Sequence, residues 1–350
     1  MTATRTVYPL WPGELLQCGS RQLHVRRAAA SAAGAEPALF VHGLGGSTTN
    51  WTDLMGELAG TLAGTAVDLP GCGWSPPPAD RDYSLAAHVR AVVELIEADF
   101  DAPVHLFGNS LGGAVTTRVA ALRPDLVRTL VLVSPALPIY RVRRTNAHLP
   151  ALAAPVVGEQ LVRRLAGVAV ERRVHATLGL IYADPRRVAQ QRIEEAVAEA
   201  RRRAELPYDA EALMSSLRGI LTAFLQRGPE GLWQSAGRVR APVLLVYGLR
   251  DQLVDPRTAT RAMRTFRDAR LVELPGSGHV AQMEQPAVVA HAIRLFLADV
   301  AATRAAPLPA PASLPDQPAP SLPVPPCSTE IADRGGIVQS TALSHPDQRS

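Results

Sequence analysis

The segment Val104-His105-Leu106-Phe107-Gly108-Asn109-Ser110-Leu111-Gly112-Gly113-Ala114-Val115 sets the architecture expected of this chain. Its first four residues are a short apolar run of the kind that forms a buried strand. Ala114 to Leu122 follows as a helix, closed by Arg123-Pro124. Between the two, Gly108 and Gly112 bracket Ser110 in a Gly-x-Ser-x-Gly spacing. A strand that turns abruptly into a helix at a serine lifts the hydroxyl above the sheet. The crowded turn calls for residues without a Cβ at 108 and 112, and Gly113 serves the same end one position on. The new helix also points its positive dipole end at the place where negative charge would develop.

A serine hydroxyl is a weak nucleophile until a neighbouring base takes its proton. Of the nine histidines, His279 is singled out by its Gly-rich turn, Gly276-Ser277-Gly278-His279, set after the apolar run Leu271 to Leu274 and before a helix. That turn lies at the edge of an open α/β sheet where ligands bind. An acid to orient the imidazole could be Asp251 or Asp255. Both fall on the loop after the strand Pro242 to Tyr247, in and just beyond Gly248-Leu249-Arg250-Asp251.

With Ser, acid and His in that chain order, residues 10–300 or so resemble the α/β-hydrolase family. Phe40-Val41-His42-Gly43-Leu44-Gly45-Gly46 resembles the family's oxyanion loop, and Asp68-Leu69-Pro70-Gly71-Cys72-Gly73-Trp74-Ser75 the turn after its fourth strand. The resemblance places the acid three residues past Gly248, which selects Asp251 over Asp255. It implies that the backbone N–H groups of Leu44 and Leu111 hold the oxyanion, that His42 braces the loop, and that neither a metal nor an organic cofactor takes part. Losing one oxyanion donor typically costs ~10²–10³ in turnover.

An alternating stretch over 14–27 suggests an opening hairpin, with buried strands near 38–42, 64–68, 103–107 and 128–133. Trp51, Leu54, Met55, Leu58 and Leu62 mark one apolar helix face, and Leu85, Val89, Val92 and Ile96 another. This alternation predicts an α/β fold, with a mostly parallel central sheet covered by helices on both faces. The expected organisation is a core of 1–136 and 237–300, an inserted helical cap of 137–236, and a tail of 301–350. The insert resembles the lid that many members of the family carry. In it Leu161, Leu165 and Val168 recur at helical spacing, as do Leu213, Leu217, Ile220, Leu221 and Phe224. Its 15 Arg against 10 Asp/Glu read as a solvated face with pairs such as Glu199 and Arg203. From Ala306 onward prolines crowd among Ala, Leu and Ser, a composition expected to be disordered.

The 47% hydrophobic content is ample for a packed core, and the net charge of +4 rests on Arg alone, since the chain has no Lys. No basic run is interleaved with aromatics, so a nucleic-acid partner is not expected. No stretch approaches about 18 uninterrupted apolar residues, and Met1 to Leu16 lacks the build of a signal peptide. Cys18, Cys72 and Cys327 are odd in number and lack metal-ligand spacing, which fits a reducing, cytoplasmic setting. The expectation is a serine hydrolase of carboxylic esters or thioesters, acting on a small-molecule acyl substrate. A small to medium apolar chain suits a cap rich in Leu, Val and Ala. Three alternatives stay open: a carbon–carbon bond hydrolase of ring-fission diketones, a cofactor-free perhydrolase, and a non-catalytic receptor on the same fold. Ser110 argues against the members of the fold that use Asp as nucleophile.

Overall fold

The computed structural model describes residues 6–29, 33–138 and 167–305, with four isolated positions between the last two spans. Eight strands form one sheet: β1 Gly13–Cys18, β2 Arg21–Arg27, β3 Glu36–Val41, β4 Leu62–Val67, β5 Val104–Asn109, β6 Val127–Val133, β7 Val243–Gly248 and β8 Ala269–Leu274. Their order across the sheet is β1-β2-β4-β3-β5-β6-β7-β8. The hairpin strands β1 and β2 pair antiparallel, and β2 joins β4 antiparallel; every later pairing is parallel.

The helices are α1 Thr52–Leu58, α2 Leu85–Asp99, α3 Leu111–Leu122, α4 Val170–Ile181, α5 Gln190–Ala204, α6 Asp209–Leu225, α7 Leu232–Arg238, α8 Thr258–Thr265, α9 Ala281–Glu284 and α10 Pro286–Ala305. Side chains alternate across the strands, so the sheet has two apolar cores. Leu39, Val41, Leu106, Leu130, Leu132 and Leu245 pack with residues of α2, α3, α7 and α8. Ala38, Phe40, Phe107, Val131, Val133 and Val246 pack with α1 and α10 on the other side. Burial on both faces is why the central strands read as unbroken apolar runs.

Connectivity then sets the site. After β3 the chain steps to β4 on one side, and β5 returns to pair on the other side of β3, with Val41 opposite Gly108. The loops leaving β3 and β5 therefore meet at the switch point on the carboxyl edge, where an open α/β sheet leaves a crevice. The loops after β7 and β8 emerge at the same edge, since Gly248 is paired with Leu274.

The described part of the 137–236 insert consists of α4, α5, α6 and most of α7, with two short 3₁₀ turns and no strand. Leu161 and Leu165 fall outside the described residues, as does the Pro-rich stretch from 306 on. The last helix, α10, runs to Ala305, five residues past the expected core boundary at 300. One segment of it, Pro286–Arg304, is long and apolar enough to cross a membrane by length and composition. Its Val289, Ala290, Ile293, Phe296 and Val300 are buried in the core shared with α1.

Candidate active site

Ser110 occupies the turn between β5 and α3 with φ 54° and ψ −118°, a conformation L residues seldom adopt. Its N–H donates to Val133 O at 3.2 Å and its C=O accepts from Ala136 N–H at 2.9 Å. The flanking glycines are sterically required. A Cβ at Gly108 would lie 2.3 Å from Thr116 Oγ1, and one at Gly112 would lie 2.3 Å from Val41 O. At Gly113 it would meet Pro135 Cβ at 2.7 Å.

The loop after β3 lies directly against this turn: a Cβ on Gly43 would sit 3.0 Å from Ser110 Cβ. His42 is fully buried, and burial holds its pKa below the usual imidazole value. Leu69 N–H donates to His42 Nε2 at 3.0 Å, so the proton sits on Nδ1, which donates to Gly43 O at 2.7 Å. Gly46 N–H donates to the same carbonyl at 3.0 Å. A trans peptide unit is planar with its C=O and N–H opposed, so anchoring Gly43 O on the His42 side turns Leu44 N–H the other way. Leu111 is the first residue of α3, and its N–H has no partner within the helix.

Of the two candidate acids, Asp251 is hydrogen-bonded to His279, with Oδ2 2.8 Å from Nδ1. Asp255 instead pairs with Arg257 at 2.6 Å. Burial pushes the Asp251 carboxyl upward, but the electrostatic attraction and hydrogen bond of the His279 ring and the N–H groups of Val254 and Leu253 outweigh it, leaving it below the ordinary carboxylate value. A charged, acceptor-only carboxylate obliges His279 to carry a proton on Nδ1, which leaves Nε2 as the basic nitrogen.

His279 is also fixed through its backbone. Its N–H donates to Ile181 O, at the end of α4, at 2.8 Å, and its C=O accepts from Asn109 Nδ2 at 3.2 Å. Asn109 donates as well to Val133 O at 3.0 Å, so the residue before Ser110 ties the strand end to the loop that carries His279. No hydrogen bond links the Ser110 hydroxyl to the His279 ring among the described residues. Such contacts are commonly long until substrate is bound.

Three other histidines have buried packing partners, and His175 and His291 are exposed on helices. His24 meets the buried Asp68 at 2.8 Å, His88 meets Ser216 at 3.0 Å, and His105 lies between Thr129 and Glu36. Burial pushes the Cys72 thiol up to about 12, so it stays protonated at neutral pH.

Three residues at the site carry no motif of their own. Asn109 is one. Arg203 donates through Nη1 to Gly45 O at 2.8 Å and pairs with Asp209 at 2.6 Å. The expected Glu199–Arg203 pair is therefore replaced: Glu199 bonds Arg202 at 2.7 Å, because Arg203 points inward to the glycine loop. Glu284 is the third, bound to Gly278 N–H at 2.8 Å. Only Asn109 offered a signal, as the residue preceding the serine within the elbow.

A family model described as the alpha/beta hydrolase fold matches residues 37–286. The chain is 27% identical over 261 residues to a pimeloyl-[acyl-carrier protein] methyl ester esterase of Neisseria meningitidis serogroup C, covering 75% of this chain and 93% of that one. It is 28% identical to a 2-hydroxymuconate semialdehyde hydrolase of Pseudomonas sp. strain CF600, covering 75% and 87%. Among solved structures, 2-hydroxy-6-oxo-6-phenylhexa-2,4-dienoate hydrolase from Rhodococcus sp. strain RHA1 superposes with a TM-score of 0.65 at 20% identity, covering 82% of this chain and 100% of that one. From its switch-point elbow to the helix after His279, the chain belongs to the α/β-hydrolase fold family.

Proposed function

We propose that this hydrolytic enzyme is a serine hydrolase that cleaves a carboxylic ester or thioester through an acyl-enzyme. The observation that carries the reading is the 2.8 Å bond from His279 Nδ1 to the buried Asp251, at the sheet edge where Ser110 stands on its strained turn. His279 Nε2 takes the Ser110 proton as Oγ attacks the carbonyl carbon, and the C=O π pair moves onto oxygen. The N–H groups of Leu44 and Leu111 donate to that oxyanion. Its collapse expels the alkoxide or thiolate, which leaves with the proton from His279. Water then repeats the sequence: it loses a proton to His279, attacks the acyl carbon, and releases the acid as Ser110 regains its proton. Asp251 keeps the tautomer and stabilises the imidazolium without taking the proton.

The helices inserted between β6 and β7 act in this reading as the cap that selects the acyl group. Leu213 of α6 supports it, lying 3.4 Å from where a Gly45 Cβ would stand, beside the oxyanion loop. An apolar wall there suits a small to medium acyl chain. The similarity to the methyl ester esterase favours an ester, while the similarity to the semialdehyde hydrolase keeps carbon–carbon cleavage of a ring-fission diketone as the second reading.

A fluorophosphonate probe and a graded series of p-nitrophenyl esters test the proposal, with a ring-fission diketone run in parallel. The wild type should be labelled and Ser110→Ala should not, and ester turnover should exceed diketone turnover. The reverse preference would establish the second reading. A folded wild type that takes no label and turns over neither substrate would point to a binding protein on the same fold.

A further inference from the structure

We propose that Glu284 is a positioning residue that couples the seating of the cap to the placement of His279; this rests on the reading of His279 as the base. Glu284 closes the short helix α9, and its side chain is fully buried. Its Oε2 accepts from Gly278 N–H at 2.8 Å and from Ala183 N–H at 3.0 Å, and its Oε1 accepts from Asp184 N–H at 3.1 Å. Arg187 lies 3.5 Å away and also donates to Gly276 O at 2.9 Å.

A buried carboxylate is costly unless hydrogen bonds and charge compensate it, and here the compensation comes from two separate segments. Gly278 belongs to the loop that carries His279. Ala183, Asp184 and Arg187 belong to the insert just after α4. The same two segments meet again where His279 N–H donates to Ile181 O at 2.8 Å. They are also in close steric contact: a Cβ on Gly278 would lie 2.6 Å from both Ala183 N and Ile181 O. Among the described residues, the Glu284 side chain alone bonds both Gly278 and the Ala183–Asp184 backbone. Displacing the cap end of α4 would therefore move the backbone from which the imidazole projects. Displacements near 1 Å in a catalytic group can cost ~10²-fold in rate.

Glu284→Gln tests this. The amide replaces one acceptor oxygen with a donor that would face N–H groups. With p-nitrophenyl acetate, a substrate too small to depend on the cap for binding, kcat should fall about 10- to 100-fold. KM should stay within about threefold. The far-downfield proton NMR signal of His279 Nδ1–H, held by Asp251, should shift or broaden. A variant that loses thermal stability while kcat and the downfield proton match the wild type would overturn the proposal, since a merely structural glutamate gives that pattern.

Arg187→Ala removes a half-exposed partner of both Glu284 and Gly276 and should leave the fold intact. It should lower kcat in the same direction by a few-fold with KM unchanged. If Glu284→Gln fails to fold, an unchanged kcat and downfield proton in Arg187→Ala overturn the proposal. Failure of the underlying reading looks different: wild-type protein itself would escape the fluorophosphonate label at Ser110.

Discussion

Asp251 is almost wholly out of water, yet its carboxyl titrates below the ordinary value because His279 and two backbone N–H groups hold the charge. Removing that charge without changing the shape should expose what it does. Asp251→Asn should lower ester turnover by ~10³–10⁴, since an amide can stabilise the wrong imidazole tautomer. Asp255→Asn, which weakens the pairing with Arg257 and leaves the Asp251–His279 bond in place, should change turnover by less than about threefold. Steady-state kinetics on both variants check the contrast, and the opposite order of severity would reassign the acid. His42 acts at the same scale by different means. Buried, with both ring nitrogens engaged, it anchors the Gly43 carbonyl and so sets which way one peptide unit faces.

At the level of elements, α6 shows how one helix divides its labour. Leu217 and Ile220 are buried in the core cluster with α2, while Leu213, one turn earlier, reaches the glycine loop after β3. Leu217→Ala should therefore destabilise the protein by about 2–5 kcal/mol and leave chain-length preference alone. Leu213→Ala should barely move the melting temperature and should shift the ratio of short-chain to long-chain kcat/KM by about 1–3 kcal/mol per methylene-scale change. Thermal melts and the ester series separate the two, and a constant ratio for Leu213→Ala would mean the helix does not line the acyl pocket. Periodicity alone made these leucines equivalent, because spacing reveals a helix face but not what covers it. Ser110 and the elbow glycines were legible because their constraint is local: the turn and its clashes lie within a few residues. Asp251 needed the family pattern, since spacing left Asp255 equally placed. Glu284 and Arg203 were illegible for the converse reason. Each has a defining partner about a hundred residues or more away, Ala183 for Glu284 and Gly45 for Arg203.

For the molecule as a whole, the packing of α6 on α2 carries a pH dependence. His88 is buried against Ser216, and burial pushes its pKa down to about 3 from an ordinary value of 6.5. The unfolded chain therefore binds a proton that the folded one refuses. The contribution to stability is complete above about pH 6.5 and is lost progressively as pH falls toward 3. Melts between pH 7 and 4 should show the wild type losing stability more steeply than His88→Gln, which keeps a donor to Ser216 without a titrating ring. Parallel curves would mean that other groups set the acid limit.

The positive φ at Ser110 has a further consequence for heat tolerance. Holding an L residue in a sparsely populated region costs roughly 1–3 kcal/mol, and alanine at that position keeps the cost because it keeps the Cβ. Glycine escapes it, at an entropic penalty of roughly 0.5–1 kcal/mol. Ser110→Gly should thus melt a few degrees above Ser110→Ala, while neither variant should turn over esters. Differential scanning calorimetry of the pair would show it, and equal melting points would mean the turn is relaxed. If the gap is found, evolution has kept this chain short of the thermal endurance its own scaffold could reach, because the residue that would extend it has no hydroxyl.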